Sequence, residues 1–234
     1  MKNHVIRLDK NQGKDLAEKA FRDMCGYNRG KTVSPKIIER SLRSLDDVDD
    51  QIAITVLISE YEKPYYDGTE MILDGQAFFC QALAQIPAGE IERVYVYLLT
   101  AGEVDLSGAS GLNSVYYDIW QNAYVDAGQE ILRRHLQGLS CNHDKFVSGN
   151  FGPGYFGMEI SLVEKIFSIL DADKINMKLL SGGFMYPLKS YAGFFAVTSS
   201  KQNVAEIDCD NCMSSGKTCV YCRAGRKMKQ ALFS

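Results

Sequence analysis

Strand-like and helix-like stretches alternate along this chain. His4–Leu8 reads as a short strand. Lys14–Cys25 carries Leu16, Ala20 and Met24 at helical spacing and meets Gly26, a helix stop. Ser34-Pro35 starts a second helix, with Ser34 placed to cap and Pro35 at the first helical position. Ile38 and Leu42 then face inward. The β-branched run Ile52–Ile58 predicts a buried strand, and Asp67-Gly68 a turn. Gly75–Ile86 predicts a helix with Phe79, Leu83 and Ile86 as its inner row. Val94–Thr100 is the strongest strand signal and ends at Ala101-Gly102.

The second half opens on a long predicted helix, from about Asn113 to Leu136. Ile119, Ala123, Ala127 and Ile131 form its i, i+4 row. Asp126 and Glu130 fall beside that row, at the edge of the stripe or turned into a cleft. A glycine-rich irregular segment, Cys141–Gly157, follows. Ser161-Leu162-Val163-Glu164 has the pattern of a capping box, opening a helix that runs to about Leu170 on the row Leu162, Ile166, Leu170. Ile175–Leu180 and Tyr191–Thr198 predict two more strands, joined through Gly182-Gly183 and Pro187. Trp120 is expected in the core.

Composition narrows the function classes. Of 234 residues, 46% are hydrophobic and 24% charged, the balance of an ordinary globular chain. A net charge of −3 argues against a nucleic-acid-binding protein. There is no run of about 20 apolar residues for a membrane span, and no signal-like segment at the start. The expected location is cytoplasmic, where disulfides are rare. The seven cysteines are therefore read as thiols or metal ligands.

Four of those cysteines are concentrated in the tail. Cys209-x2-Cys212-x6-Cys219-x2-Cys222 supplies two C-x2-C pairs, and four thiolates suit a tetrahedral zinc ion or an iron–sulfur cluster. Arg223, Arg226, Lys227 and Lys229 follow and can offset the charge of such a centre. Cys25 and Cys80 are placed on helices as buried thiols. His4, His135 and His143 have no metal-site spacing.

A second candidate is the loop Asn150-Phe151-Gly152-Pro153-Gly154-Tyr155. Its glycines allow close approach of backbone to a ligand, Pro153 stiffens it, and Tyr155 can stack on a flat ring or donate a hydrogen bond. Taken with Lys178-Leu179-Leu180-Ser181, Met185-Tyr186-Pro187 and Ser190-Tyr191-Ala192-Gly193, the loop resembles the reactivation domain of cobalamin-dependent methionine synthase. That family carries an Arg-x-x-Pro-Gly-Tyr loop, a helix, a Lys-Leu-Thr-Glu-Ser strand, a Met-Trp-Pro turn and a Ser-x-Ser-Gly strand. The likeness covers roughly residues 26–198. A helix start at Leu73-Asp74-Gly75, Val94–Gly102, the long helix and the cysteine tail match the stand-alone bacterial members.

The resemblance implies an α+β protein: a twisted, largely antiparallel sheet with packed helices over residues 1–198, then a cysteine-rich metal-binding tail over 199–234. It also implies S-adenosylmethionine bound in a shallow groove and presented to a cobalamin held by a corrinoid partner. An electron from a flavoprotein and the donated methyl group restore methylcobalamin there. The domain positions its ligand and carries no catalytic triad. By position, Asp126, Asp144, Asn150, Gly152, Pro153, Gly154, Tyr155 and Ser190 would line the ligand site, and Cys209, Cys212, Cys219 and Cys222 would hold the metal. Asp126 and Asp144 stand where the family has glutamates, and a sulfonium with an α-amino group suits acids. Asn150 stands where the family has Arg, so the bidentate carboxylate clamp is missing, and Ser181 replaces a Glu. Lys145 or Lys178 is an alternative cation. Three functions follow: a reactivation protein that binds S-adenosylmethionine, a cluster-bearing redox activator fed by a flavoprotein or ferredoxin, and a non-catalytic docking module for a corrinoid protein.

Overall fold

Strands form where β-branched and aromatic residues run together. The computed structural model describes residues 3–27, 33–109, 111–140, 144–155 and 157–201. Three long strands, β2 (Ile54–Glu62), β6 (Ile91–Thr100) and β10 (Ser190–Thr198), are neighbours in a five-stranded sheet. Its order is β1-β2-β6-β10-β7, with β1 (His4–Leu8) and β7 (Phe146–Val147) at the edges. Pairing is antiparallel for β1 on β2 (His4 opposite Ile58, Leu8 opposite Ile54) and for β7 on β10 (Val147 opposite Val197). Every residue from Val94 to Thr100 is at most 5% exposed, as in a strand covered on both faces. The edge strand β1 alternates between exposed and half-buried positions instead.

The chain divides into two compact units. Among the described residues the first comprises 3–59, 97–135 and 170–191. Its helices are α1 (Lys14–Met24), α2 (Pro35–Arg43) and most of α3 (Leu112–Ser140). The core is aromatic: Phe21 and Trp120 stack at 4.0 Å between centroids, and Tyr124 lies beside Trp120. Stacking of Phe21 decides which face of α1 turns inward. Ala17 and Phe21 are fully buried, whereas Met24, in the row expected from the sequence, is 40% exposed. Pro35 takes the first helical position as expected, and Ile38 and Leu42 are half-buried around the fully buried Ser41. The long helix approaches its neighbours closely through small residues. A Cβ on Gly128 would meet Ile54 Cγ2 at 3.0 Å, and one on Gly13 would meet Ile131 Cδ1 at 2.6 Å. The strand expected over Ile175–Leu180 is only the pair β8 (Lys178–Leu179), opposite β9 (Met185–Tyr186). A 3₁₀ turn ends at Ile175, and Asn176 closes it with φ +55°.

The second unit comprises 60–96, 136–169 and 192–201. Here the helix expected at Gly75–Ile86 is absent. Its place is taken by a three-stranded meander, β3 (Tyr65–Tyr66), β4 (Glu70–Leu73) and β5 (Gln76–Phe79), and then a 3₁₀ turn at Gln81–Gln85. The cause is Asp74-Gly75: both residues have positive φ (+48° and +73°), which makes a two-residue hairpin turn and not a helix start. Leu83 and Ile86 are buried as expected, but Phe79 is half-exposed. Cys80 is fully buried in extended backbone after β5, and Cys25 caps the end of α1, so neither lies within a helix. The Asp67-Gly68 turn forms as expected, with Asp67 Oδ1 accepting from the Thr69 and Glu70 amides. The predicted helix at the capping sequence is α4 (Leu162–Ile169), with Leu162, Ile166 and Leu170 buried.

Candidate functional site

In the first unit, α3 carries Asp126 between buried Val125 and Ala127. The acid is half-buried, and the Tyr191 hydroxyl donates to its Oδ1 at 2.6 Å, the length of a charge-assisted bond. Burial pushes the Asp126 carboxyl above the usual carboxylate range, and the Tyr191 bond partly counters that. Among the described residues no Lys or Arg forms an ion pair with it. The nearby charges are matched elsewhere. Glu130, one helical turn on, is held by Arg133 and Arg134, and Lys189 pairs with Asp118 at 2.7 Å. Tyr191 is itself well fixed. Ser190 is buried and donates to the Pro187 carbonyl at 2.7 Å, and the Lys189 carbonyl accepts from Ala101 N and Thr100 Oγ1. Ser190 thus holds the backbone turn that precedes Tyr191.

In the second unit, residues 150–155 are fastened to β10 by a two-way backbone bridge between Phe151 and Phe194, at 2.9 and 2.8 Å. Their rings stack at 5.1 Å, and both are fully buried. The loop comes so close that β10 has no room for a side chain opposite it. A Cβ on Gly193 would lie 2.4 Å from the Phe151 carbonyl oxygen and 2.7 Å from Asn150 Oδ1. Gly152 is nearly as tight against the Ala192 carbonyl, at 3.0 Å. Asn150 packs its amide between Gly152 and Gly193, where it braces the loop. Gly154 turns the chain with φ +85°, and nothing lies within 4 Å of where its Cβ would be. Its amide donates to the Met158 carbonyl, and the Tyr155 amide donates to the Gly152 carbonyl. Tyr155 therefore presents a half-exposed ring at the tip. Asp144 is exposed with φ +52°, and Lys145 is ion-paired with Glu92.

The sequence matches no known protein family. No curated protein matches it either. Among solved structures, the crystal structure of the MetH reactivation domain bound to AdoHcy superposes with a TM-score of 0.62 at 12% identity, covering 90% of this chain and 83% of that one. This chain has the fold of the MetH reactivation domain.

Within this MetH reactivation fold, the residues singled out from the sequence fall into two groups. Asp126 and Ser190 are in the first unit, and Asp144, Asn150, Gly152, Pro153, Gly154 and Tyr155 are in the second. Two residues were quoted in the sequence motif without a role. Tyr191 engages Asp126, and Gly193 gives the loop its seat on β10. A glycine inside a strand is itself a sign of close backbone approach, so Gly193 was legible. Tyr191 had no such signal, because its partner lies 65 positions away. Among the described residues no group of three His, Cys, Asp or Glu is placed to hold a metal ion. Cys209, Cys212, Cys219 and Cys222 lie outside the described residues, as do Cys141 and His143. Among the described residues no helix is long and apolar enough to cross a membrane.

Proposed function

We propose that this chain binds S-adenosylmethionine and supports reductive reactivation of a corrinoid methyltransferase of the methionine synthase type. The observation that carries this reading is the fold correspondence over nine-tenths of the chain with a domain whose crystal structure holds AdoHcy. The site residues fit such a ligand. Asp126 offers a half-buried carboxylate with no cation paired to it among the described residues, which suits a sulfonium or an α-amino group. Gly152, Pro153 and Gly154 shape a tight loop that offers Tyr155 as an exposed ring for stacking. In the second unit Asp144 and Asn150 are proposed ligand residues beside that loop, and in the first Ser190 acts through the turn it holds.

Bound S-adenosylmethionine supplies an activated methyl group. The chain's own part is to hold and orient that donor. A cobalamin-bearing partner protein, an electron donor of the flavoprotein or ferredoxin kind, and a zinc ion or iron–sulfur cluster on Cys209, Cys212, Cys219 and Cys222 complete the proposal. The test is one anaerobically purified sample examined by calorimetry, thermal shift and metal analysis. Ligand at about 100 times its Kd stabilises a folded protein by about 2.7 kcal/mol, a readily measured rise in Tm. Absence of both heat and shift at millimolar ligand overturns the reading. Stoichiometric zinc without iron assigns a structural tail, and visible absorbance assigns a cluster.

A second reading has one observation in its favour. Asn150 stands at the family's Arg position and is used as a brace for the loop, which suits a docking module that has lost its ligand. That reading expects association with a cobalamin-loaded partner that is independent of S-adenosylmethionine.

A further inference from the structure

Where α3 ends, the second unit holds a cavity of about 280 Å³, roughly the volume of nine water molecules. The residues proposed above for S-adenosylmethionine lie outside its lining. Ser140, the last residue of α3, is part of the wall and is 3% exposed. Its hydroxyl is the one buried side-chain oxygen or nitrogen among the described residues without a hydrogen-bond partner. A helical serine can return its hydroxyl to a carbonyl of the preceding turn. Ser41, Ser114 and Ser168 do so, each to the residue three positions back. A buried hydroxyl left open carries a desolvation cost that a ligand able to reach it would remove.

The rest of the wall is largely charged, and its acids already have partners. Lys145 pairs with Glu92, and Arg93 is shared between Glu60 at 2.7 Å and Glu62 at 3.4 Å. A cation entering the cavity would compete with a lysine or an arginine already in place. Lys63 is in a different position. Its amide donates to the Glu92 carbonyl at 2.7 Å, which ties its backbone to β6. Among the described residues its ammonium forms no ion pair. An oxyanion therefore meets an unmatched cation and an open hydroxyl on one cavity wall, and it breaks no existing pair. We propose that this cavity is a second ligand site, which takes a small organic oxyanion (a carboxylate or a phosphate ester) held by Lys63 and by a hydrogen bond from Ser140 Oγ. The volume leaves room for a short carbon skeleton besides the anionic group, and buried Val197 gives that skeleton an apolar contact. With Glu60 counted, the charges around the cavity balance, so the pull on the anion is local and the expected Kd is millimolar.

The experiment is nuclear magnetic resonance titration of the full, nitrogen-15-labelled chain without S-adenosylmethionine, so its outcome is independent of the function proposed above. The probes are glycerol 3-phosphate and succinate, each against sodium chloride at equal ionic strength. At least one probe is expected to give saturable amide shifts, centred on Lys63, Ser140 and Val197, and the one that saturates identifies the anionic group. Ser140→Ala should weaken that binding about tenfold, the size of one hydrogen bond to a charged group, while its Tm in chloride stays level or rises because an open buried polar group is gone. Lys63→Gln should weaken it about fivefold. The inference is overturned if neither probe acts beyond chloride, which leaves water as the partner of the hydroxyl. It is also overturned if the shifts centre elsewhere, or if either variant keeps the parent affinity. Lys63→Gln, a change at an exposed side chain, decides alone where Ser140→Ala does not fold.

Discussion

At the scale of single residues, the site costs the fold something. Burial holds the Asp126 carboxyl high, so between the unfolded and native pKa values the folded protein carries more protons than the unfolded chain. The contribution is favourable below about pH 4, where both states are protonated, and is lost as pH rises through the native value. Asp126→Asn keeps the shape and an acceptor for Tyr191 but removes the titration. The unliganded variant is expected to melt above the parent at pH 7–8, with the difference closing below about pH 4, as thermal scans across that range would show. Gly193 gives the opposite case. Gly193→Ala drives a Cβ into the Phe151 carbonyl, and a loss of about 3 kcal/mol is expected from denaturant unfolding. A loss under about 1 kcal/mol would mean that the loop shifts easily on β10.

At the scale of elements, the long β-branched and aromatic strands and the long helix were legible, because their signals are local and repeated. Val94–Thr100 and the row Ala123, Ala127, Ile131 lie buried as read. Two kinds of feature were not legible. One is turn chemistry: at Asp74-Gly75 a pair of positive φ values outweighs a helical row of apolar residues. Gly75→Ala separates the two readings by sign. In a helix it would stabilise by up to about 1 kcal/mol, whereas at φ +73° it should cost about 1 kcal/mol, seen as a lower urea midpoint at unchanged slope. The other is partnership across sequence distance. Phe21, not Met24, turns inward because Trp120 receives it, and Tyr191 is placed by Asp126. The loop of the candidate site was legible from its own glycines, and the strand glycine carried a general signal of close backbone approach, but which loop it seats needed the structure.

At the scale of the whole molecule, four elements contribute residues to both units: β2, β6, α3 and β10. A strand cannot melt at one end and keep its full ladder, so the units are expected to unfold in one transition and not two. The core of the first unit contains the means of checking this. Trp120 is the single tryptophan of the chain, stacked on Phe21 and 2% exposed. Its emission is therefore a fluorescence reporter that watches one unit alone, with no label introduced. The far-ultraviolet circular dichroism of the same sample sees the backbone of both. Coincident midpoints for the two signals are the expected result, and a dichroism change that precedes the tryptophan change would show the second unit opening on its own. A protein of this fold thus arrives with its own optical probe, placed where the packing of one unit can be followed while ligands are added.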